Sequence, residues 1–347
     1  MVSCFRCFEL GCRKSTSTVR PHQNKVKDDG FEGEVFVRKF RWEEIEAVTN
    51  DFARVIGRGG FSNVYLANLS GSGQGQGAVK VHAGSDRLNQ VFKQELDILL
   101  RLRHHNIVKL IGYCDDHEEG AMVFEYVPNG NLQEKLHERE VVLSWKTRTA
   151  IAFQLAQAIE YLHEKCTLQI VHGDIKPSNV LLDEYFNCKL CDFGSAKMGF
   201  SSTVKPPSCS RTKQLMVGSP GYTDPHYLRT GLASKKNDVY SLGVIMLELV
   251  TGMKAFCPER GQGQLLATIV AADLRDIGEH GAEEKVAALV DPRLCGDFDL
   301  EEARASLSIA ALCLHQSLTV RPSASQIIET MKEKITSIGF LFSDKNS

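Results

Sequence analysis

The chain carries no excess of basic residues: 41 Lys and Arg stand against 43 Asp and Glu, a formal charge of −2 over 347 residues. No global positive field therefore argues for a nucleic-acid partner, and none is expected. No run approaches the roughly 20 apolar residues that cross a bilayer; the best stretch, Val239 to Val250, is shorter and contains Glu248. The beginning of the chain lacks the apolar core of a secretory signal. Its 11 cysteines are an odd number, mostly singletons in apolar segments, a pattern that fits a reducing cytosol. With 43% apolar and 24% charged residues the chain can bury a substantial core, and one catalytic region of two lobes is the economical arrangement.

The most informative stretch is Ile170 to Gly194, IVHGDIKPSNVLLDEYFNCKLCDFG. Ile170 and Val171 lead into Asp174, Lys176 and Asn179; two short strands, Val180 to Leu182 and Lys189 to Cys191, flank a turn and lead into Asp192. Two carboxylates, a lysine and an amide therefore converge. Such a set suits phosphoryl transfer: the second Asp and the Asn can hold magnesium, the first Asp can orient a hydroxyl, and the Lys can neutralise phosphate charge.

Residues 1–14 differ in character from the rest, with Cys4, Cys7 and Cys12 interleaved with Phe5, Phe8 and Leu10 and followed by Arg13 and Lys14. A zinc site would need His22 as a fourth ligand at an unusual spacing, and simple solvated thiols are a second alternative. S-acylation is favoured, because apolar and basic neighbours bring the thiols to a membrane surface. Val2 excludes N-myristoylation. Two acyl chains, each methylene contributing about 0.8 kcal/mol, hold a protein stably where one does not. Residues 15–40 are polar and aperiodic and read as a disordered tether.

Residues 41–51 read as a helical extension, with Trp42, Ile45 and Val48 on one face and Asn50 and Asp51 at its end. Val55 to Leu66, VIGRGGFSNVYL, has the pattern of a hairpin bent over a ligand, its glycines letting backbone amides approach phosphate oxygens. Strand AVKV places Lys80 inward. An isolated lysine there can simply snorkel to solvent, but the helix Asp86 to Leu102 carries Glu95 beside its apolar stripe, and a buried charge needs such a match. His104, His105 and Asn106 turn the chain before a strand from Ile107 to Tyr113 rather than hold a metal. Met122 to Val127 is a buried strand broken by Pro128, Asn129 and Gly130. Beyond it the pattern is mainly helical: Trp145 to Lys165, NDVYSLGVIMLELVTG, Leu265 to Asp276, Glu283 to Leu289, Leu300 to Leu314 and Ala324 to Ile335. Between Gly194 and Pro220 the chain is rich in Ser, Thr, Lys and Pro, a mobile loop.

These motifs, HGDIKPSN, DFG, AVK and IGRGGFSNV in this order and spacing, resemble the signature set of protein kinases over residues 50 to 335. More narrowly, FRWEEIEAVTNDF, LRHHNIVKLIGYC, GSPGYTDPHYLRTG and NDVYSLGVIMLELVTG resemble plant receptor-like cytoplasmic kinases. The resemblance implies an α+β bilobal protein kinase fold spanning 52–335, with a small β-rich N-lobe (52–127), a larger mainly helical C-lobe (128–335) and a tail from 336 to 347. It implies a non-specific serine/threonine protein kinase that uses ATP with Mg2+, or Mn2+ in its place, acts on protein substrates and relays signals from a receptor-like kinase. An acylated N-terminus would hold it on the cytoplasmic face of the plasma membrane, and self-association would serve trans-autophosphorylation.

By the same resemblance, Asp174 accepts the substrate proton, Lys176 supports the transferred phosphate, and Asn179 and Asp192 hold magnesium. Lys80, braced by Glu95, grips the α and β phosphates. Ile56, Gly57, Arg58, Gly59, Gly60 and Val64 cover the nucleotide, Glu125 to Val127 bind the adenine through their backbone, and Phe124 limits the back pocket. Lys176 is the mark of a serine/threonine kinase, and Ser219 is expected to contact both Asp174 and Lys176. Ser201, Ser202, Thr203, Ser208, Ser210 and Thr212 are candidate autophosphorylation sites. Cys191 reads as a core filler, with an electrophile-reachable thiol as the alternative.

Three residues depart from the family pattern. Gly173 replaces an arginine, so phosphorylation of the loop is not expected to be the on-switch. Ser62 replaces a third glycine and should stiffen the phosphate loop. His226 replaces a glutamate that commonly pairs with the equivalent of Arg321, for which Asp224, a carbonyl or water must compensate. The rival to an active kinase is a pseudokinase scaffold.

Overall fold

Alternating apolar residues build the first half of the protein into a sheet, and helical periodicities build the second half. The structure, a computed structural model, describes residues 37–59, 62–70, 75–82, 84, 86–137, 142–199, 203–204, 218–263, 265–277 and 283–345. Cys4, Cys7 and Cys12, most of the tether, Gly60 and the loop residues Ser201, Ser202, Ser208, Ser210 and Thr212 lie outside these.

The elements of the first lobe are β1 (Arg38–Lys39), α1 (Trp42–Thr49), β2 (Val55–Arg58), β3 (Ser62–Asn68), β4 (Gln76–His82), α2 (Asp86–Leu99), β5 (Leu110–Cys114) and β6 (Ala121–Glu125). The strands form one sheet in the order β1-β5-β6-β4-β3-β2. The period of two along each strand separates its faces. Ala67, Val79, Ala121 and Val123 point into a small core with Phe40 and Ile45 of the extension, whereas Met122 and Phe124 join the main core that continues into the second lobe.

Helix α1 begins with a capping arrangement in which the Arg41 backbone N–H donates to the Glu44 carboxylate at 2.8 Å. This bond holds the Glu44 carboxyl below its ordinary range. The helix ends on Asn50 in the left-handed region, φ 51°. Ordered structure starts earlier than the tether assignment of residues 15–40 implies. β1 runs parallel to β5, pairing Arg38 with Gly112 and Lys39 with Tyr113, and Phe40 is only 2% exposed. Gly112 makes this possible, because a Cβ there would collide with the Arg38 carbonyl and the Phe40 ring.

The second lobe contains α3 (Leu132–His137), α4 (Trp145–Glu160), β7 (Gln169–Val171), β8 (Val180–Leu182), β9 (Cys188–Leu190), β10 (Lys197–Gly199), β11 (Thr203–Val204), α5 (Pro225–Thr230), β12 (Ala233–Ser234), α6 (Lys235–Thr251), α7 (Leu266–Ile269), α8 (Ala271–Asp276), α9 (Glu283–Leu289), α10 (Leu300–Cys313) and α11 (Ala324–Lys334). Its axis is α6, buried on every side from Asn237 to Thr251. Gly243 lets α10 approach, since a Cβ there would lie 2.6 Å from that of Cys313. The expected helix from Trp145 to Lys165 is α-helical to Glu160 and then widens into a π-helical turn, Tyr161–Lys165. The expected helix from Leu265 to Asp276 is two short helices that meet at Val270. Residues 336–345, assigned as a tail, dock by 3-10 turns: Glu302 accepts from Thr336 Oγ1 and the Ser337 N–H, both at 2.7 Å, and Ile338 is 1% exposed.

Two buried guanidinium groups tie the lobe together. Arg148 on α4 donates to Asp291 Oδ2 at 2.7 Å and to the carbonyls of Leu143 and Leu249, both at 2.9 Å. Arg321, left without the family's glutamate, donates to both Asp224 oxygens at 2.6 and 3.0 Å and to the carbonyls of His315 and Lys236 at 2.8 and 3.0 Å. Burial pushes the Asp224 carboxyl up, but Arg321, the His226 N–H and Asn237 together more than reverse this and hold it below its ordinary range. The missing glutamate is thus compensated by a carboxylate and two carbonyls. Removing one partner of such a buried pair leaves an unmatched charge. Asp224→Ala should therefore lose about 3–5 kcal/mol in urea unfolding, while His226→Ala should change stability far less; equal losses would show that Asp224 does not carry the anchor.

Candidate active site

The site is assembled where the sheet faces the loop that precedes β8. The β3–β4 register sets Lys80 opposite Val64, and the β4–β6 register sets it opposite Met122. Lys80 Nζ reaches Glu95 Oε1 at 2.7 Å, Glu95 Oε2 at 3.0 Å and Asp192 Oδ1 at 2.8 Å. Glu95 is 1% exposed, whereas the Asp192 side chain keeps 46% exposure toward the cleft. Burial pulls the Lys80 ammonium toward neutrality, but Glu95 and Asp192 more than reverse this and keep it charged, well above the ordinary lysine range. Burial raises the Glu95 carboxyl, with Lys80 opposing. Asp192, also pushed up by burial, is brought below its ordinary value by Lys80.

Asp192 reaches this position through a left-handed backbone, φ 63° and ψ 77°, a conformation that is unfavourable for an L-residue and concentrates at functional sites. The same turn drives Phe193 into the core, 1% exposed, with its ring 4.8 Å from that of His172. α2 is fastened to the following segment by Gln94 Nε2, which donates to the Ala196 carbonyl at 2.7 Å.

The loop carrying Asp174 is held from below by Asp238 in the first turn of α6. Asp238 accepts from the His172 N–H at 2.8 Å and the Gly173 N–H at 2.9 Å, and its Oδ2 lies 2.8 Å from His163 Nε2. Gly173 takes φ +78°, where a side chain would be strained, and a Cβ would sit 3.2 Å from the Ser195 carbonyl oxygen. Downstream, Lys176 Nζ donates to Asp174 Oδ2 at 2.7 Å and to Ser219 Oγ at 3.1 Å, while Ser219 Oγ donates to Asp174 Oδ1 at 2.8 Å. Asn179 Nδ2 donates to the Asp174 carbonyl at 2.9 Å and to its Oδ2 at 3.2 Å. The Asn179 carbonyl in turn accepts from the Cys191 N–H at 2.9 Å, which sets Asp192 beside the loop.

Above the cleft, Gly57 pairs with Val64, and the Gly59 N–H closes the β2–β3 turn on the Ser62 carbonyl at 2.7 Å. Val55 and Ile56 are 40% and 38% exposed, and Arg58 is exposed. Gly60 is outside the described residues. At the back, Phe124 and Val127 are both 9% exposed. Glu125 is fixed by Lys189 Nζ and the Lys109 N–H, both at 2.9 Å from its Oε1. Thus Lys80, Glu95 and Asp192 meet in one cluster and Asp174, Lys176, Asn179 and Ser219 in an adjoining one, with Ile56, Gly57, Gly59 and Val64 on the hairpin above. His104 serves the turn: its Nδ1 accepts from the Asn106 N–H at 3.1 Å, and its ring stacks on Tyr161.

Sequence reasoning missed the part played by Asp238, His163 and His82. An aspartate in the first turn of an apolar helix reads as a dipole-favoured residue, and nothing local reveals that it grips a loop. His82, 5% exposed, stands two residues after Lys80, its Nε2 3.5 Å from Glu95 Oε2. Burial and the Lys80 charge push this imidazole down to about 4.

Comparison with known proteins agrees with this geometry. The protein kinase domain family model matches residues 51–331, and the chain belongs to that family. By homology it is a serine/threonine protein kinase. It is 56% identical over 308 residues to a "probable receptor-like protein kinase" of Arabidopsis thaliana, covering 86% of this chain and 89% of that one. Against the "salt tolerance receptor-like cytoplasmic kinase 1" of Oryza sativa subsp. japonica it is 50% identical over 308 residues, covering 87% of this chain and 81% of that one. A "probable LRR receptor-like serine/threonine-protein kinase" of Arabidopsis thaliana is 36% identical over 300 residues, and the match covers 85% of this chain but 32% of that longer protein.

Cys191, next to Asp192, tests how dry the base of the cleft is. Burial, reinforced by the Asp192 charge, pushes its thiol up to about 12, so the reactive thiolate is scarce at neutral pH. In the nucleotide-free protein at pH 7.5, iodoacetamide should label exposed Cys295 well before Cys191. Peptide mass spectrometry showing equal rates would refute this.

Proposed function

We propose that the chain is an active serine/threonine kinase tethered to the plasma membrane, moving the γ-phosphoryl group of ATP to protein hydroxyls. The observation that carries it is the joint presence of the Lys80–Glu95–Asp192 cluster and the Asp174–Lys176–Ser219 cluster on one cleft. Lys80 is charged and aimed into the cleft, suited to the α and β phosphates. Ile56, Gly57, Arg58, Gly59 and Val64 roof the nucleotide, and the backbone of Glu125 to Val127 takes the adenine.

The donor set also fits a hard divalent cation. The Asn179 amide nitrogen is committed to Asp174, which turns its Oδ1 the other way, and Asp192 Oδ2 takes no part in the Lys80 bond. Both are oxygen donors of the kind magnesium prefers. Asn179 and Asp192 would hold the magnesium, which when bound would supply charge neutralisation at the phosphate oxygens. The protein's own groups do the rest. Asp174, oriented by Lys176, Ser219 and Asn179, accepts the proton of the substrate hydroxyl as its oxygen attacks the γ-phosphorus. The bond from that phosphorus to the β-phosphate oxygen breaks, and ADP leaves with the electron pair. Lys176 then faces the charge on the transferred group. Gly173 supports regulation independent of loop phosphorylation, since the loop is held through backbone N–H groups and Asp238 rather than through a cation.

Full-length protein incubated with Mg2+, labelled ATP and a Ser/Thr-containing protein should incorporate phosphate, and Asp174→Asn should reduce this by roughly 10²–10⁴-fold. If the variant matches wild type, Asp174 does not have this role; if neither transfers phosphate, the scaffold alternative gains. The tether rests on Cys4, Cys7 and Cys12 with basic neighbours, while no helix among the described residues is long and apolar enough to cross a membrane. In plant cells a Cys4, Cys7 and Cys12 triple Ser variant should move from the membrane pellet to the soluble fraction. Its continued sedimentation with membranes would rule out acylation at these thiols as the anchor.

A further inference from the structure

Along β4, residues two apart share a face, so His82 stands on the same side as Lys80, turned toward α2. Its ring lies edge-on to Phe92, 5.4 Å between centroids, and Phe92 is on the same helix as Glu95, three residues earlier. His82 Nε2 is buried with no hydrogen-bond partner among the described residues, and Glu95 Oε2 faces it at 3.5 Å. A buried imidazole nitrogen without a partner is unusual. The ring is neutral, because burial and the nearby ammonium both oppose protonation. Opposite a carboxylate, the tautomer carrying hydrogen on Nε2 is the favourable one.

Lys80 is shared. Its ammonium has three N–H groups, and Glu95 Oε1, Glu95 Oε2 and Asp192 Oδ1 all draw on it. When Lys80 turns to nucleotide phosphates it must release part of this set, and Glu95, at 1% exposure and with the Phe193 N–H as its other donor, is shielded from bulk solvent. The longer of the two Lys80–Glu95 contacts, to Oε2, is the one beside His82.

We propose that His82 is a positioning residue for nucleotide binding: its Nε2–H takes over Glu95 Oε2 as Lys80 engages phosphate, so that α2 stays against the sheet while the ammonium is shared with ATP. This rests on Lys80 being the phosphate-binding lysine. The hold comes from within the first lobe and needs no modification of any loop.

The test compares wild type, His82→Leu and His82→Gln, full-length, at pH 7.5. The readouts are affinity for a non-hydrolysable ATP analogue with Mg2+ by calorimetry, and the urea midpoint of the nucleotide-free protein. Loss of one hydrogen bond to a charged group should weaken nucleotide binding roughly tenfold in His82→Leu, while His82→Gln, which keeps an N–H donor, should stay within about twofold of wild type. In a Glu95→Gln background, His82→Leu should weaken binding no further. Wild-type affinity in His82→Leu overturns the proposal, as does an equal loss in His82→Gln or an undiminished loss in the Glu95→Gln background. A wild type whose nucleotide affinity is unchanged by Lys80→Met removes the underlying role of Lys80, and that control separates the two failures.

Discussion

A single ammonium, Lys80 Nζ, holds carboxylates from a helix and from the far lobe at once, and the geometry of the cleft depends on that sharing. With Glu95 at 2.7 Å and Asp192 at 2.8 Å, it fixes the inward position of α2 and the direction of the Asp192 side chain together. Without the ammonium the buried Glu95 carboxylate would lose the cation that matches it. Two carboxylates against one ammonium leave net negative charge, an arrangement that would favour a cation beside it.

The opposite wall is organised by an anion acting on backbone. Asp238 reaches up from the most buried helix and takes the N–H groups of His172 and Gly173. Because the loop is gripped through its main chain, the side chain at position 173 is free of structural duty. The φ of +78° then favours glycine. Any side chain at this φ would be strained, and glycine avoids that strain. Order at Asp174 comes from Lys176, Ser219 and Asn179, all permanent residents of the site.

Much of this was legible in the sequence because charges in apolar patterns are conspicuous. Lys80 and Glu95 each break a hydrophobic periodicity, and a buried charge calls for a partner. Asp174, Lys176, Asn179 and Asp192 are packed into a short stretch bounded by strand-forming residues, so their convergence follows from local spacing. What was hidden depends on distant matches. The strand at Arg38–Lys39 exists because Gly112 lacks a Cβ, and a polar N-terminal segment gives no hint of that. The break at Val270, a buried residue, has neither proline nor glycine to mark it. Asp238 looked like an ordinary first-turn acid, and the direction of His82 becomes meaningful only once α2 is laid across β4.

The departures from the family pattern behave differently under the same physics. At His226 the lost glutamate threatened an isolated guanidinium, and Asp224, two residues away at the cap of α5, supplies both oxygens while also capping the helix through the His226 N–H at 2.8 Å. One carboxylate thus does two jobs, so position 226 tolerates a histidine. At Ser62 the change is milder: the β2–β3 turn is closed by backbone, Gly59 N–H to Ser62 carbonyl, and position 62 opens a strand that needs no positive φ. Gly173 differs from both in being set by backbone conformation, its φ of +78° suiting glycine. A structural charge was replaced because the buried Arg321 requires a partner, whereas position 173 is held through its backbone N–H by Asp238 and carries no charge that needs one.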